Sequence, residues 1–445
     1  MSHQETTDLP PKSPGIRKFI VASLMGNALE WYDFFLYATA AAIVFGDLFF
    51  PADVDPLVGT MGAFAGFAVG FAARPIGGII FGHIGDRISR KTALVITLTM
   101  MGAATFLMGL LPTYENVGIL APILLVVLRV VQGIAAGGEW GGGVLIISEN
   151  SSSERRGLYS AFSQGGVTLG FVLSSAAFYL VQLLPDEQFF AWGWRLPFLL
   201  SVLLFGVGMY IRFHLPEAKE FTKTKKEHGS RSIPVLEALR THPKEILVAM
   251  GLRVAENGGS YLILSFSLVY GVHVGVDRGT LLLGVTFSTL FAFGSIIFFG
   301  HLSDKIGRRK VYGFGAVALA GMAFPFFALL DSNSAPLIIL AYFIGNGVCH
   351  AAMIGSQPAF FHELFSPEVR YSGMALGHEL AAVFAGGIAP FIATALLLNF
   401  GSSTPVSLYA IGMAAITLIA LVCSRKMGLH RGTQSEERSE AVLRG

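Results

Sequence analysis

The sequence predicts an all-α membrane protein: twelve transmembrane helices in two pseudo-symmetric six-helix bundles. Three observations carry this. Hydrophobic residues make up 53% of the 445 and charged residues 13%, against about 25% charged in a soluble domain, and mean hydropathy is +0.63. A chain so poor in polar side chains cannot cover its apolar surface in water, so its solvent is lipid. Apolar runs long enough to cross about 30 Å of hydrocarbon recur along the whole chain. Finally, Phe81-Gly-His-Ile-Gly-Asp-Arg-Ile-Ser-Arg-Lys91 returns half a chain later as Phe299-Gly-His-Leu-Ser-Asp-Lys-Ile-Gly-Arg-Arg309. The spacing of Glu149, Glu154 and Arg156 returns at nearly the same offset as Glu363, Glu368 and Arg370. Two matched sets argue for two structurally equivalent halves.

In chain order, residues 1–18 form a polar tail holding Lys12, Arg17 and Lys18. The apolar run that follows is too long for a signal-peptide core and shows no small-residue cleavage site, so it reads as a retained first span. Spans are expected near 19–46, 57–82, 92–111, 119–147, 157–183 and 194–213. After the central loop they resume near 244–271, 280–302, 311–330, 336–361, 373–398 and 405–424. They are helices, because an open sheet leaves backbone groups unpaired in lipid. Gly133, Gly137 and Gly141 make two successive small-xxx-small steps, a spacing suited to close helix contact.

Residues 19–213 form the first bundle and 244–424 the second. The connection 214–243 is charged, and its segment Glu217–Glu227 reads as a solvated linker. Ile233–Leu239 fits a short amphipathic helix on the membrane surface. The tail 425–445 is polar, without sustained heptads. Cys349 and Cys423 lie in apolar runs and read as small core hydrophobes. Only Arg195 and Arg278 occupy odd-numbered connections, and Arg74, Arg129 and Arg253 lie within spans. The other Lys and Arg cluster in the tails and even-numbered connections, which places both termini in the cytoplasm.

Several local sequences carry a family resemblance. They are Glu30-Trp-Tyr-Asp-Phe34, Arg74-Pro-Ile-Gly-Gly78, Arg129-Val-Val-Gln-Gly133, Gly137-Gly-Glu-Trp-Gly141, Trp192-Gly-Trp-Arg-Leu-Pro197 and Val369-Arg-Tyr371, besides the two D-R-x-x-R-K-type loops. Together they span nearly the whole chain and resemble the major facilitator superfamily, more narrowly its metabolite:proton symporter branch. Arg253, Glu256, Asn346 and His350 are most similar to shikimate-type organic acid transporters. Osmolyte transporters of the branch often carry a C-terminal coiled coil, which this chain lacks. Ser89 departs from the superfamily's usual glycine, whereas the second copy keeps Gly307. The resemblance implies a central cavity lined by spans 1, 4, 7 and 10.

The residues place polar stripes on those same spans. An ionisable side chain within a span is costly, so it usually faces the bundle interior and marks a pathway. Span 1 carries Asn27, Glu30, Asp33 and Tyr37; span 4 carries Arg129, Gln132 and Glu139. Span 7 carries Arg253, Glu256, Asn257 and Tyr261; span 10 carries Asn346, His350 and Gln357. An organic anion at lipid depth needs cations, and Arg grips a carboxylate with two parallel hydrogen bonds. Arg129 and Arg253 are therefore the expected anion contacts. Gln132, Asn257, Tyr37, Tyr261, Asn346 and Gln357 are the expected readers of substrate hydroxyls. Asp33, Glu30, Glu139, Glu256 and His350 are the proton-coupling candidates, with His378 as a further imidazole.

Blander readings stand beside these. Arg129 with Glu139, and Arg253 with Glu256, also fit structural pairs. Trp31 and Trp140 fit packing, and Glu379 has no assigned place. In the repeated loops, Asp86 and Asp304 suit acceptance from Arg or from a helix N-terminus. With Arg87, Arg90, Glu149, Arg156, Arg308, Glu363 and Arg370 they read as latches that close the cytoplasmic side.

The expectation is a secondary transporter of the cell (inner) membrane. It moves a small organic acid together with protons by alternating access, in the bilayer and as a monomer. A zwitterionic osmolyte (proline or betaine) is the alternative cargo, and a non-transporting sensor on a transporter fold the alternative class. His83-x-x-Asp86 and His301-x-x-Asp304 offer two ligands each, too few for a metal site. No P-loop, GxSxG or HExxH is present, so neither ATP-driven transport nor hydrolysis has support. No cofactor and no nucleic-acid partner is expected.

Overall fold

A computed structural model describes residues 16–87, 90–137, 155–214, 240–365 and 370–426. The side chains of Glu30, Asp86, Arg87, Arg90 and Arg370, and the whole of Glu139 and Glu149, lie outside the described residues. So do the two amphipathic or charged segments of the central loop and the C-terminal tail.

Twelve long helical elements run through the described residues. The first six are α1 (Ile16–Ile43), α2 (Pro56–Arg87), α3 (Arg90–Leu110), α4 (Leu120–Gly137), α5 (Arg156–Val181) and α6 (Arg195–His214). The second six begin with α7, an interrupted helix made of Pro243–Arg253, a π-helical turn Val254–Gly258, Gly259–Tyr261, a second π turn Leu262–Phe266, and Ser267–His273. Then come α8 (Arg278–Ile306), α9 (Arg308–Asp331) and α10 (Ala335–Leu364), which holds a π turn at Gly345–His350. Helix α11 comprises Arg370–Ala381, a π turn Ala382–Gly387, and Ala389–Phe400; α12 is Thr404–Lys426. Eight of these are long and apolar enough to cross a membrane by length and composition, or nine if the bent pair Asp186–Gly193 and Arg195–Tyr210 is one span. The polar insertions explain some of the rest: α7 carries Lys244, Glu245, Arg253 and Glu256, and α1 carries Arg17, Lys18, Glu30 and Asp33.

The repeat seen in the sequence is a repeat of packing. Helix α1 packs on α5, α2 on α4 and α3 on α6; in the second half α7 packs on α11, α8 on α10 and α9 on α12. The halves meet along two equivalent seams, α5 with α8 and α2 with α11. The α2–α4 pair is the closest contact the glycine spacing allows. A Cβ on Gly133 would lie 2.0 Å from the Gly70 carbonyl oxygen, and one on Gly137 would lie 1.8 Å from that of Arg74. Only glycine tolerates such an approach. Gly307, between α8 and α9, has φ +99°, a conformation that L side chains rarely adopt.

The molecular centre is aromatic. Tyr261 of α7 lies between Phe67 and Phe71 of α2, with ring centroids 5.2 and 5.9 Å away, and 6.2 Å from Phe35 of α1. These rings join the two halves where they converge, and all are buried.

Candidate functional site

Two buried polar clusters flank the aromatic centre, one in each half. In the first, α4 carries Arg129 and Gln132 one turn apart on its inner face. Arg129 is fully buried. Its guanidinium carbon lies 4.1 Å from the Phe34 ring centroid, 4.4 Å from Tyr37 and 4.7 Å from Phe67. A cation over aromatic faces is attracted to the ring quadrupole, more strongly when desolvated. Arg129 Nη1 donates to Gln132 Oε1 (2.8 Å), and Gln132 Nε2 donates to Thr105 Oγ1 (2.6 Å). Nε and Nη2 of Arg129 have no hydrogen-bond partner. The guanidinium fits because α2 offers Gly70 opposite, where a Cβ would lie 2.7 Å from Arg129 Nε.

The second cluster belongs to α7 and α10. Arg253 Nε lies 3.9 Å from Glu256 Oε2. Glu256 Oε2 accepts from Gln357 Nε2 (3.0 Å), and its Oε1 lies 3.3 Å from His350 Nε2. His350 Nδ1 lies 3.1 Å from Asn346 Oδ1, and Asn346 Nδ2 donates to Thr289 Oγ1 (3.2 Å). Gln357 Nε2 also reaches the Tyr312 hydroxyl (3.1 Å), which donates to the Leu252 carbonyl (2.8 Å). The network runs through the π turns of both helices, Val254–Gly258 and Gly345–His350. Arg253 Nε and Nη1, Asn257 Oδ1 and the Tyr261 hydroxyl are buried without hydrogen-bond partners.

A third pairing crosses the seam between α2 and α11. Arg74 Nε lies 2.7 Å from Glu379 Oε2, and Arg74 Nη2 donates to Glu379 Oε1 (3.2 Å). His378 Nδ1 lies 3.0 Å from Glu379 Oε1.

The α5–α8 seam is bridged at both ends. At one end Asp304 of α8 accepts from the backbone N–H of Gly157 (2.9 Å) and of Leu158 (3.0 Å), in the first turn of α5. Arg308 Nη2 donates to Asp304 Oδ1 (3.3 Å), and Arg308 also pairs with Glu363 of α10. Arg156 opens α5 at the same place. At the other end Arg278 lies 3.3 Å from Asp186 and its guanidinium carbon 4.9 Å from the Phe190 ring centroid. In the α1–α2 connection nearby, burial pushes the Asp47 carboxyl above its usual range, and the Arg278 charge pulls it back.

Comparison with known proteins identifies the scaffold. Residues 18–256 match the family model described as "Sugar (and other) transporter", and residues 254–442 match that of the Major Facilitator Superfamily. The chain is 39% identical over 419 residues to the shikimate transporter of Escherichia coli strain K12, covering 92% of this chain and 95% of that one. The chain belongs to the major facilitator superfamily. This facilitator is also 38% identical over 417 residues to the E. coli inner membrane metabolite transport protein YhjE (92% and 94% covered). It is 33% identical over 426 residues to a proline/betaine transporter of Salmonella typhimurium (93% and 83% covered). Its fold matches a partially occluded inward-open conformation of the E. coli xylose transporter XylE, with a TM-score of 0.69 at 16% identity over 93% of this chain and 98% of that one. The facilitator is thus a multi-pass membrane transporter of the twelve-helix type, not an enzyme.

Within the facilitator, Tyr37 of span 1, Arg129 and Gln132 of span 4, Arg253, Glu256, Asn257 and Tyr261 of span 7, and Asn346, His350 and Gln357 of span 10 are all buried. Asp33 is buried on α1, within electrostatic reach of Arg129. Several expected hydroxyl readers have other work. The Tyr37 hydroxyl donates to the Ala63 carbonyl (3.0 Å), leaving its ring for Arg129. Gln132, Asn346 and Gln357 hold neighbouring side chains. Asn257 and Tyr261 keep their oxygens uncommitted. Sequence reasoning missed the Arg74–Glu379 pair, and with it Thr105, Thr289 and Tyr312. A signal existed: Arg74 and Glu379 are opposite charges within different spans, and such charges are expected to pair. Among the described residues no group of three or more His, Cys, Asp or Glu is placed to hold a metal.

Proposed function

We propose that the protein is a proton-coupled symporter of a small organic acid, shikimate-like, a dicarboxylate or a related carboxylate. One observation carries the reading. Arg129 is a fully buried cation with two unpartnered N–H-bearing nitrogens, held by rings instead of by a carboxylate. Two adjacent free donors on a planar guanidinium suit a carboxylate oxygen pair. The Arg253 nitrogens, Asn257 Oδ1 and the Tyr261 hydroxyl supply further contacts from the opposite half. The shikimate transporter among its relatives supports the same substrate class.

Alternating access rocks residues 19–213 against 244–424 around this midplane site. Both termini lie in the cytoplasm, and the chain works as a monomer in the inner membrane. Asp304, Arg308, Glu363 and Arg156 form a cytoplasmic latch. Asp86, Arg87, Arg90, Glu149 and Arg370 are its counterparts in the repeat.

The similarity to a proline/betaine transporter keeps a zwitterionic cargo as the second reading. A quaternary ammonium needs an open aromatic cage, and the cage of Phe34, Tyr37 and Phe67 is filled by Arg129. The test is internal pH in proteoliposomes carrying an entrapped dye. Protein-dependent acidification on adding shikimate or a related acid, beyond that of protein-free vesicles, is the expected result. Acidification with betaine or proline alone replaces the reading with the osmolyte one.

A further inference from the structure

We infer that Glu379 binds the coupling proton, and that its ion pair with Arg74 across the α2–α11 seam is the contact a proton breaks. The inference rests on the symport reading above but adds a residue that reading does not use.

The geometry separates this pair from Glu256. Glu256 is held within its own half by Arg253, Gln357 and His350. Glu379 instead meets a cation from the opposite half, through both carboxylate oxygens. Breaking that contact therefore changes how α2 meets α11, whereas breaking a contact of Glu256 does not touch a seam. Glu379 is also the less buried partner: its side chain is 16% exposed, against 1% for Arg74.

Among the described residues, the charged and titratable groups around Glu379 come from three helices. Arg74 lies on α2, His378 on α11 itself, and Arg253 of α7 within electrostatic reach. Arg74 has a second support that outlasts the pair. Its guanidinium carbon lies 5.2 Å from the Phe34 ring centroid, 5.5 Å from Phe71 and 5.9 Å from Trp31. Phe34 is the ring that also faces Arg129. When Glu379 takes a proton, the region around Arg74 and Arg129 gains one unit of positive charge, which attracts an anion more strongly. Proton and organic acid then favour each other's binding. Release of the acid returns Arg74 to Glu379, which gives up the proton.

Trp31 sits over Arg74 and reports on the pair without any substrate. The experiment follows intrinsic fluorescence of the purified protein against pH and takes the component lost in Trp31→Phe. A sigmoidal pH dependence of that component is expected, absent in Glu379→Gln and retained in His378→Gln. A flat wild-type profile, or one unchanged in Glu379→Gln, overturns the inference. If Glu379→Gln does not fold, Glu379→Asp keeps the charge and shortens the reach; a displaced midpoint supports the inference and an unmoved one overturns it. In proteoliposomes Glu379→Gln is expected to abolish acidification by the acid that gives a signal with wild type. Absence of any wild-type signal counts against the symport reading alone, because the Trp31 titration still decides Glu379.

Discussion

Asp304 caps a helix of the other half: its carboxylate accepts from Gly157 at 2.9 Å, in the first turn of α5. The partial positive charge of a helix N-terminus is matched with a full negative charge, worth up to about 2 kcal/mol when partly buried. Asp304→Asn keeps one acceptor and loses the charge. The closed seam should weaken by roughly 10- to 30-fold in equilibrium terms. The check is labelling of a cysteine placed on α5 near Gly157, which should speed up while transport falls.

Arg129→Lys tests the planar grip. Lysine keeps the charge but loses the second parallel donor and the fit to three rings. Hydrogen bonds to charged groups contribute about 1.5–3 kcal/mol, so affinity for the transported acid should fall roughly 10- to 100-fold. Binding to purified protein measures it.

Arg253 and Glu256 should respond differently to truncation. Arg253→Ala leaves Glu256 with Gln357 and His350, so protein level should stay normal while uptake is lost. Glu256→Ala removes the acceptor of three buried groups, and breaking such an arrangement costs about 3–5 kcal/mol. Its folded yield in detergent should drop, with partial recovery in the double variant. Normal uptake by Arg253→Ala would remove that residue from the site.

The α2–α4 contact gives a controlled pair of glycine substitutions. Gly137→Ala puts a methyl against the Arg74 carbonyl, and overpacking of this kind costs about 1–3 kcal/mol. Thermal stability should fall. Gly412→Ala meets nothing within 4 Å and should leave stability unchanged or slightly raised.

Much of the architecture was legible in the sequence, because lipid forces apolar length and the repeated loops fix the halves. Asp304 was legible too, since a recurrent carboxylate beside cations needs a partner. The side-chain assignments were less so. Spacing along α4 brings Arg129 and Gln132 together, but only the crossing of α1 and α2 shows that three rings fill the space around the cation. The Arg74–Glu379 pair joins helices far apart in the chain, and no periodicity within one helix relates them. The hydroxyl of Tyr37 went to a backbone carbonyl that only helix packing could supply.

The π turns carry a consequence for how such a transporter changes over generations. A π turn holds one residue more than the α-helix it interrupts. The bulge takes up that residue within its own turn, whereas the same insertion in a regular α-helix would rotate everything beyond it by about 100° about the helix axis. Glu256 and His350 both sit in such turns. A single codon lost there would remove the bulge and reposition the side chains within that turn, with α7 or α10 on either side left near its old face. New cargo preferences in this lineage could therefore arise by insertion and deletion at these two places, with every side chain elsewhere kept.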